Sequence, residues 1–193
     1  MSTVPRILAF AGSTRRDSFN KRLIMIAAAG ATAVGAAVTL IDLRDYPLPL
    51  YDGDLETKEG LPANARKLKD LFLANEGLLI SAPEYNSSIT AVLKNTIDWV
   101  SRPVPGEASL NCFDGKVAAL MSASPGGLGG LRGLVHVRAI LQNIRVLTIP
   151  EQVAVPNAGE AFAPDGSLKD AKQRAAVEAL GAKVAGIVLR LRG

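Results

Sequence analysis

The feature that most constrains this fold is a rhythm of five short apolar runs, each followed by a stretch with helical spacing. The runs are Ile7–Ala11, Ala37–Leu43, Gly77–Ala82, Lys116–Ser122 and Val146–Ile149. They lack the alternation of a sheet with one wet face, so both faces of each strand are expected to be covered. Helices are expected from the residues after Asn20 to about Ala29, over Pro62–Ala74, Ala91–Val100, Leu131–Gln142 and Leu168–Leu191. Leu68, Leu71 and Phe72 mark one apolar stripe, and Val92, Leu93, Ile97 and Val100 another. Thr90 or Ser88 caps the third helix, while Gly181 and Gly186 are weak points of the last. Strands alternating with helices give an α/β three-layer αβα sandwich on a five-stranded parallel sheet. Strand order 2-1-3-4-5 suits five strands and puts the ligand crevice where strands 1 and 3 diverge, at the carboxyl edge. Arg44–Gly60, Pro83–Ser88, Arg102–Gly115 and Pro150–Gly166 read as loops.

The loop after the first strand carries the strongest chemistry. Gly12-Ser13-Thr14-Arg15-Arg16-Asp17-Ser18-Phe19-Asn20 runs from a strand's carboxyl end into a helix's amino end. Free backbone N–H groups and the positive end of the helix dipole are available there. The hydroxyls of Ser13, Thr14 and Ser18, the Asn20 amide and the Arg15 fork complete a cradle for a phosphate dianion. A Rossmann G-x-G-x-x-G is absent, as is a Gly-Lys-Ser/Thr ending, so a monophosphate tip suits the loop better than a diphosphate. The plainer alternative is a capped helix with solvated arginines.

Composition narrows the class. The 193 residues are 48% hydrophobic and 21% charged, in keeping with one soluble unit spanning 1–193. Net charge is +4, without a basic run interleaved with aromatics, so nucleic acid is not the expected partner. The first apolar run ends at Gly12, too short for a membrane span. Cys112 is the only cysteine; with no signal peptide visible, a cytoplasmic setting is expected. His136 stands alone without a Cys/His cluster, so no metal site is expected.

Two motifs in order resemble the NADPH-dependent FMN reductase family, which includes quinone, chromate and azo-dye reductases. They are Gly12-Ser13-Thr14-Arg15-x-x-Ser18-x-Asn20, and Pro83-Glu84-Tyr85-Asn86-Ser87-Ser88-Ile89 running into Leu93-Lys94-Asn95-x-x-Asp98-Trp99-x-Ser101-Arg102. The resemblance covers most of the chain and implies a flavodoxin-like fold with FMN as cofactor. It implies that Ser13, Arg15, Ser18 and Asn20 hold the FMN phosphate, and Thr14 and Phe19 are further candidate cofactor-binding residues. Pro83, Glu84, Tyr85, Asn86 and Ser87 would line the isoalloxazine edge, with backbone N–H groups facing it. Ser122, Ser124, Gly126 and Gly127 match the third flavin-side loop.

No catalytic side chain is expected, because flavin carries the redox chemistry. The implied cycle is ping-pong: NAD(P)H, by family preference NADPH, gives hydride, and a quinone, free flavin, azo dye or metal oxyanion takes the electrons. A homodimer or homotetramer is implied, with Tyr51 and Trp99–Arg102 as candidate interface residues. The alternative is a non-catalytic FMN-binding electron carrier or module serving a partner protein. A low-molecular-weight phosphatase is disfavoured because Cys112 precedes a strand, and a receiver domain because Gly12-Ser13-Thr14 stands where acids would be needed.

Overall fold

The computed structural model describes residues 4–192. In chain order its elements are β1 (Arg6–Ala11), α1 (Phe19–Ala33), β2 (Ala37–Asp42), α2 (Gly53–Glu59), α3 (Ala63–Ala74) and β3 (Gly77–Ser81). Then come β4 (Glu84–Tyr85), β5 (Ser88–Ile89), α4 (Ala91–Val100), β6 (Val117–Ala123), α5 (Leu131–Asn143), β7 (Leu147–Val155), α6 (Ala158–Ala161) and α7 (Ala171–Leu191). The five long strands form one parallel sheet in the order β2-β1-β3-β6-β7. Numbered as the five expected strands, this is the 2-1-3-4-5 arrangement.

The strand pleat sorts the core into two halves. Ile7, Ala9 and Ala11 of β1 face α1 and α7, whereas Leu8 and Phe10 face the layer built from α3, α4 and α5. Every residue of β3 and β6 is buried, as continuous apolar runs require in a sheet covered on both sides. On the first side α1 and α7 lie so close that Gly30 meets the backbone of Glu178, and Gly181 meets the backbone of Ala27. Gly30 therefore lies within α1, which continues to Ala33, about four residues beyond the stop expected near Ala29.

The structure departs from the sequence reading in four further places. The Arg44–Gly60 connection contains a 3₁₀ turn, Leu43–Asp45, and the helix α2, whose amino end Asp52 caps by accepting from Asp54 N–H at 2.8 Å. Pro83–Ser88 is not a simple loop, because Glu84–Tyr85 and Ser88–Ile89 pair as an antiparallel hairpin. β7 runs on to Val155, since Gln152–Val155 resume pairing with β6 beyond a bulge that passes Pro150. Proline cannot donate to the ladder. Arg138 instead satisfies the Ile149 carbonyl at 2.7 Å and the Gln152 side chain at 3.0 Å. Finally, α7 begins at Ala171, where Asp170 caps it, rather than at Leu168.

Trp99 is fully buried within the chain, so it is not available as a subunit contact. Its indole N–H donates to the Pro49 carbonyl at 2.8 Å, and Tyr51 packs edge-on against it at 5.1 Å. Arg102 lies 4.9 Å over the Tyr51 ring and donates to its hydroxyl at 3.2 Å. These aromatics pin the Arg44–Gly60 connection to α4, which is why a large aromatic sits beside an arginine there.

Candidate functional site

The loops after β1, β3 and β6 meet at the carboxyl edge of the sheet. They enclose a cleft lined by Ser13, Arg15, Ser18, Phe19 and Asn20 from the first loop, Pro83, Glu84 and Tyr85 from the second, and Ala123, Ser124 and Pro125 from the third. The cleft measures about 50 Å³. That holds a phosphate group and little more, so a larger ligand would extend along the open edge. A cavity of about 450 Å³ lies between α1 and the segment preceding α7, but none of these three loops lines it. Size alone therefore does not select the site.

The β1 loop is clamped from two sides. Gly12 N–H donates to Ser81 O at 2.9 Å, and the Thr90 hydroxyl donates to Gly12 O at 2.6 Å. A side chain at residue 12 would collide with Leu93, 2.9 Å from the ideal Cβ position. Thr90, rather than Ser88, is also the cap of α4, accepting from Leu93 N–H at 3.3 Å.

The amino end of α1 is open. Ser18 occupies its cap position in extended conformation, yet its side chain makes no capping hydrogen bond, and no acid stands in the first turn. The first N–H groups of a helix need acceptors from outside it. Ser18 is 5% exposed and Ser13 4%, while Arg15 is exposed on the cleft rim. Nearly buried hydroxyls, a free guanidinium and an uncapped helix end together fit a bound phosphate.

Other expected residues have different tasks. Asn20 lines the cleft and is also a structural hub. Its Oδ1 accepts from Ser81 Oγ at 2.8 Å and from Ala123 N–H at 3.0 Å, and its Nδ2 donates to Ala123 O at 2.8 Å. It thus ties α1 to the carboxyl ends of β3 and β6 and sets the three loops against one another. Thr14 turns away from the cleft into a neighbouring one of about 260 Å³, shared with Arg44, Tyr46 and Val92. Phe19 stacks on Phe162 with 5.8 Å between centroids.

Asn86 and Ser87 are the two hairpin-turn residues, with φ of 51° and 64°, the pair of positive values that a type I′ turn demands. Neither borders the cleft. Ser122 is wholly buried, its Oγ unpaired among the described residues and beneath Gly130, where a Cβ would stand 2.0 Å away. It does not reach the cleft. Ser124 does; Gly126 and Gly127 form the exposed loop beyond it, and Gly126 O anchors the loop by accepting from Gly129 N–H at 3.1 Å.

Glu84 points its carboxylate at α5 instead of the cleft opening. It pairs with Arg132 at 2.9 Å and accepts from Gly133 N–H at 2.9 Å. Burial pushes this carboxyl up, but the Gly133 N–H and the Arg132 guanidinium outweigh it and hold the group below the usual range. Arg132, and His136 with Nδ1 2.9 Å from Ser88 Oγ, support the hairpin and have no counterpart in the sequence reading. The available signal was Gly133, a glycine inside a helical pattern that needs a packing reason.

Cys112 is buried before β6, at the opposite end of the sheet, where burial pushes its thiol up. It is remote from any phosphate-binding loop. Among the described residues no helix is long and apolar enough to cross a membrane.

A parallel sheet in this order, with an open helix end at the β1/β3 divergence, defines a flavodoxin-like α/β protein built to take a phosphorylated ligand. Within that class the chain belongs to the NADPH-dependent FMN reductase family, whose sequence profile matches residues 5–160. It is 35% identical over 195 residues to an NAD(P)H-dependent FMN reductase of Pseudomonas aeruginosa, covering all of both chains. It is also 35% identical over 144 residues to a quinone reductase of Escherichia coli K12, covering 73% of this chain and 71% of that one. Among solved structures, the NAD(P)H:(acceptor) oxidoreductase FerB of Paracoccus denitrificans superposes with a TM-score of 0.80 at 28% identity, over 97% of this chain and 98% of its own. The chain is accordingly an oxidoreductase of the FMN-dependent, NAD(P)H-using kind.

Proposed function

We propose that residues 1–193 act as one FMN-binding unit that oxidises NAD(P)H, by preference NADPH, and reduces small acceptors such as quinones, free flavins, azo dyes or metal oxyanions. The observation that carries the reading is the open amino end of α1, where uncapped Ser18 stands with Ser13 and Arg15 at the strand 1/strand 3 divergence. Ser13, Arg15 and Ser18 hold the FMN phosphate, helped by the first N–H groups of α1. Pro83, Tyr85, Ser124 and the backbone of residues 83–85 flank the ring, with Gly126 and Gly127 at its outer side. FMN supplies hydride acceptance from the nicotinamide and electron release to the acceptor, and the family resemblance supports a ping-pong order for these.

The protein's own part is binding, orientation and exclusion of water, so no side chain is assigned a proton or a covalent bond. Quinone reductases among the relatives support small-molecule acceptors. The family resemblance supports a cytoplasmic homodimer or homotetramer. Tyr51 and Arg102, both half-buried, are residues that a partner subunit could cover.

Titration of apoprotein with FMN by fluorescence quenching, then steady-state kinetics with a quinone, tests the reading. Parallel double-reciprocal lines are expected. Arg15→Ala should weaken FMN binding about ten- to a hundredfold, the worth of one charge-assisted hydrogen bond, and leave turnover at saturating FMN unchanged. Arg16→Ala, which changes a residue outside the cleft, should do less. No FMN binding, or flavin-loaded protein that does not oxidise NAD(P)H, would refute the proposal.

A further inference from the structure

The hairpin β4–β5 walls the cleft, yet it is a weak structure in itself. It has two residue pairs, Glu84 with Ile89 and Tyr85 with Ser88, and it is separate from the main sheet. Both turn residues are non-glycine with positive φ. A two-stranded hairpin is marginal in water, and such turn conformations add cost. Something outside it must hold it still.

That support is α5. The Glu84 carboxylate is 8% exposed, and Oε1 accepts from Arg132 Nε at 3.1 Å and Nη2 at 2.9 Å. Oε2 accepts from Gly133 N–H at 2.9 Å, in the first turn of the helix, where a negative charge is favoured. The two glycines at the start of α5 admit this contact. A Cβ on Gly133 would lie 3.3 Å from Ser88 O and 3.4 Å from Glu84 Cβ. One on Gly130 would strike Ser122 and lie 3.6 Å from Glu84 Cβ. The carboxylate therefore joins the loop after β3 to the helix that follows the loop after β6.

We propose that Glu84 is a positioning residue: held by Arg132 and the Gly133 N–H, its carboxylate fixes the β4–β5 hairpin against α5 and so sets Pro83 and Tyr85 where FMN binds. The inference rests on the FMN-binding reading above. Glu84 acts through the hairpin and touches no reacting atom, and Arg132 acts through Glu84. Loss of either partner loosens the same wall, so the two are coupled.

The test uses Glu84→Ala, Arg132→Ala, the double variant and Arg132→Lys. Amide hydrogen exchange is read at residues 84–89 of the apoprotein, and FMN affinity by fluorescence quenching. Each alanine variant should speed exchange across 84–89 while β1 and β3 keep their protection, and should weaken FMN binding about tenfold. The double variant should be no worse than the worse single. Arg132→Lys, which keeps the charge but not the paired N–H donors on Oε1, should weaken FMN binding less than Arg132→Ala. The Arg132 side chain is 57% exposed, so its variants fold even where Glu84→Ala does not.

Unchanged exchange at 84–89, additive losses, or FMN affinity unmoved by Arg132→Ala would overturn the assignment while wild-type FMN binding stands. Wild-type protein that binds no FMN would overturn the functional reading, and the positioning role with it.

Discussion

Two glycines five residues apart in α7 should respond to the same substitution with opposite signs. An ideal Cβ on Gly181 would stand 2.0 Å from Ala27 O and 2.8 Å from Ala31 N, both backbone atoms of α1. Nothing lies within 4 Å of a Cβ on Gly186. Alanine at either position gains about 1 kcal/mol of helix propensity over glycine. At Gly186 that gain is unopposed, and the melting temperature should rise by about 2–4 °C, the usual response of a domain this size to 1 kcal/mol. At Gly181 the methyl group must push two helices apart, because backbone cannot step aside as a side chain can.

Overpacking of this kind costs about 3 kcal/mol at the upper end of the ordinary range. Set against the propensity gain, the net loss is about 2 kcal/mol, a fall of about 4–8 °C. The measurement is thermal and urea unfolding of the apoproteins side by side, with equal urea slopes confirming that both unfold alike. Gly30→Ala, 2.1 Å from Glu178 O across the same contact, should behave like Gly181→Ala. A Gly181→Ala protein as stable as wild type, or a Gly186→Ala protein equally damaged, would refute the reading of α1 and α7 as glycine-packed.

Three further outcomes follow from the site and its frame. Asn20→Ala removes the partners of Ser81 Oγ, Ala123 N–H and Ala123 O, so calorimetry should show a loss of about 3 kcal/mol and FMN titration a weaker site. Ser122→Ala removes a buried hydroxyl that has no hydrogen-bond partner among the described residues, so the melting temperature should hold or rise and FMN affinity should not change. Burial pushes the Glu76 carboxyl up, but the Arg192 guanidinium and the Arg6 N–H outweigh it and hold it below the usual 4.5. Its stabilisation is thus complete above that value and is lost as pH falls through the lower folded-state one. Thermal melts from pH 7 downward should lose stability more gently at the acid end for Glu76→Gln than for wild type.

The sheet was legible in the chain because its information is local. Runs such as Leu78-Leu79-Ile80 and Ala118-Ala119-Leu120 can be buried on both faces only between helices, and their alternation with helical spacing leaves few topologies. The hydroxyl-rich stretch from Ser13 to Ser18 likewise predicts a phosphate cradle from its composition and its place between strand and helix. Where single side chains go is a different kind of fact. Asn20 reads as a phosphate ligand, yet Ala123, 103 positions away, takes one N–H of its amide. Glu84 lines the cleft as expected from its place in the sequence, but that its carboxylate turns to α5, 49 positions on, is decided by the fold. Ser122 has the right neighbours in sequence but lies beneath Gly130, and Trp99 has the composition of an interface yet donates to Pro49 inside its own chain. β7 passes Pro150 only because Arg138, on another element, satisfies the carbonyls of the bulge. Local pattern determines which segments are strands and helices, since each burial face is written in the segment itself. Tertiary structure alone decides which polar groups remain free for a ligand, because a buried donor or acceptor takes whatever partner the fold brings within 3 Å.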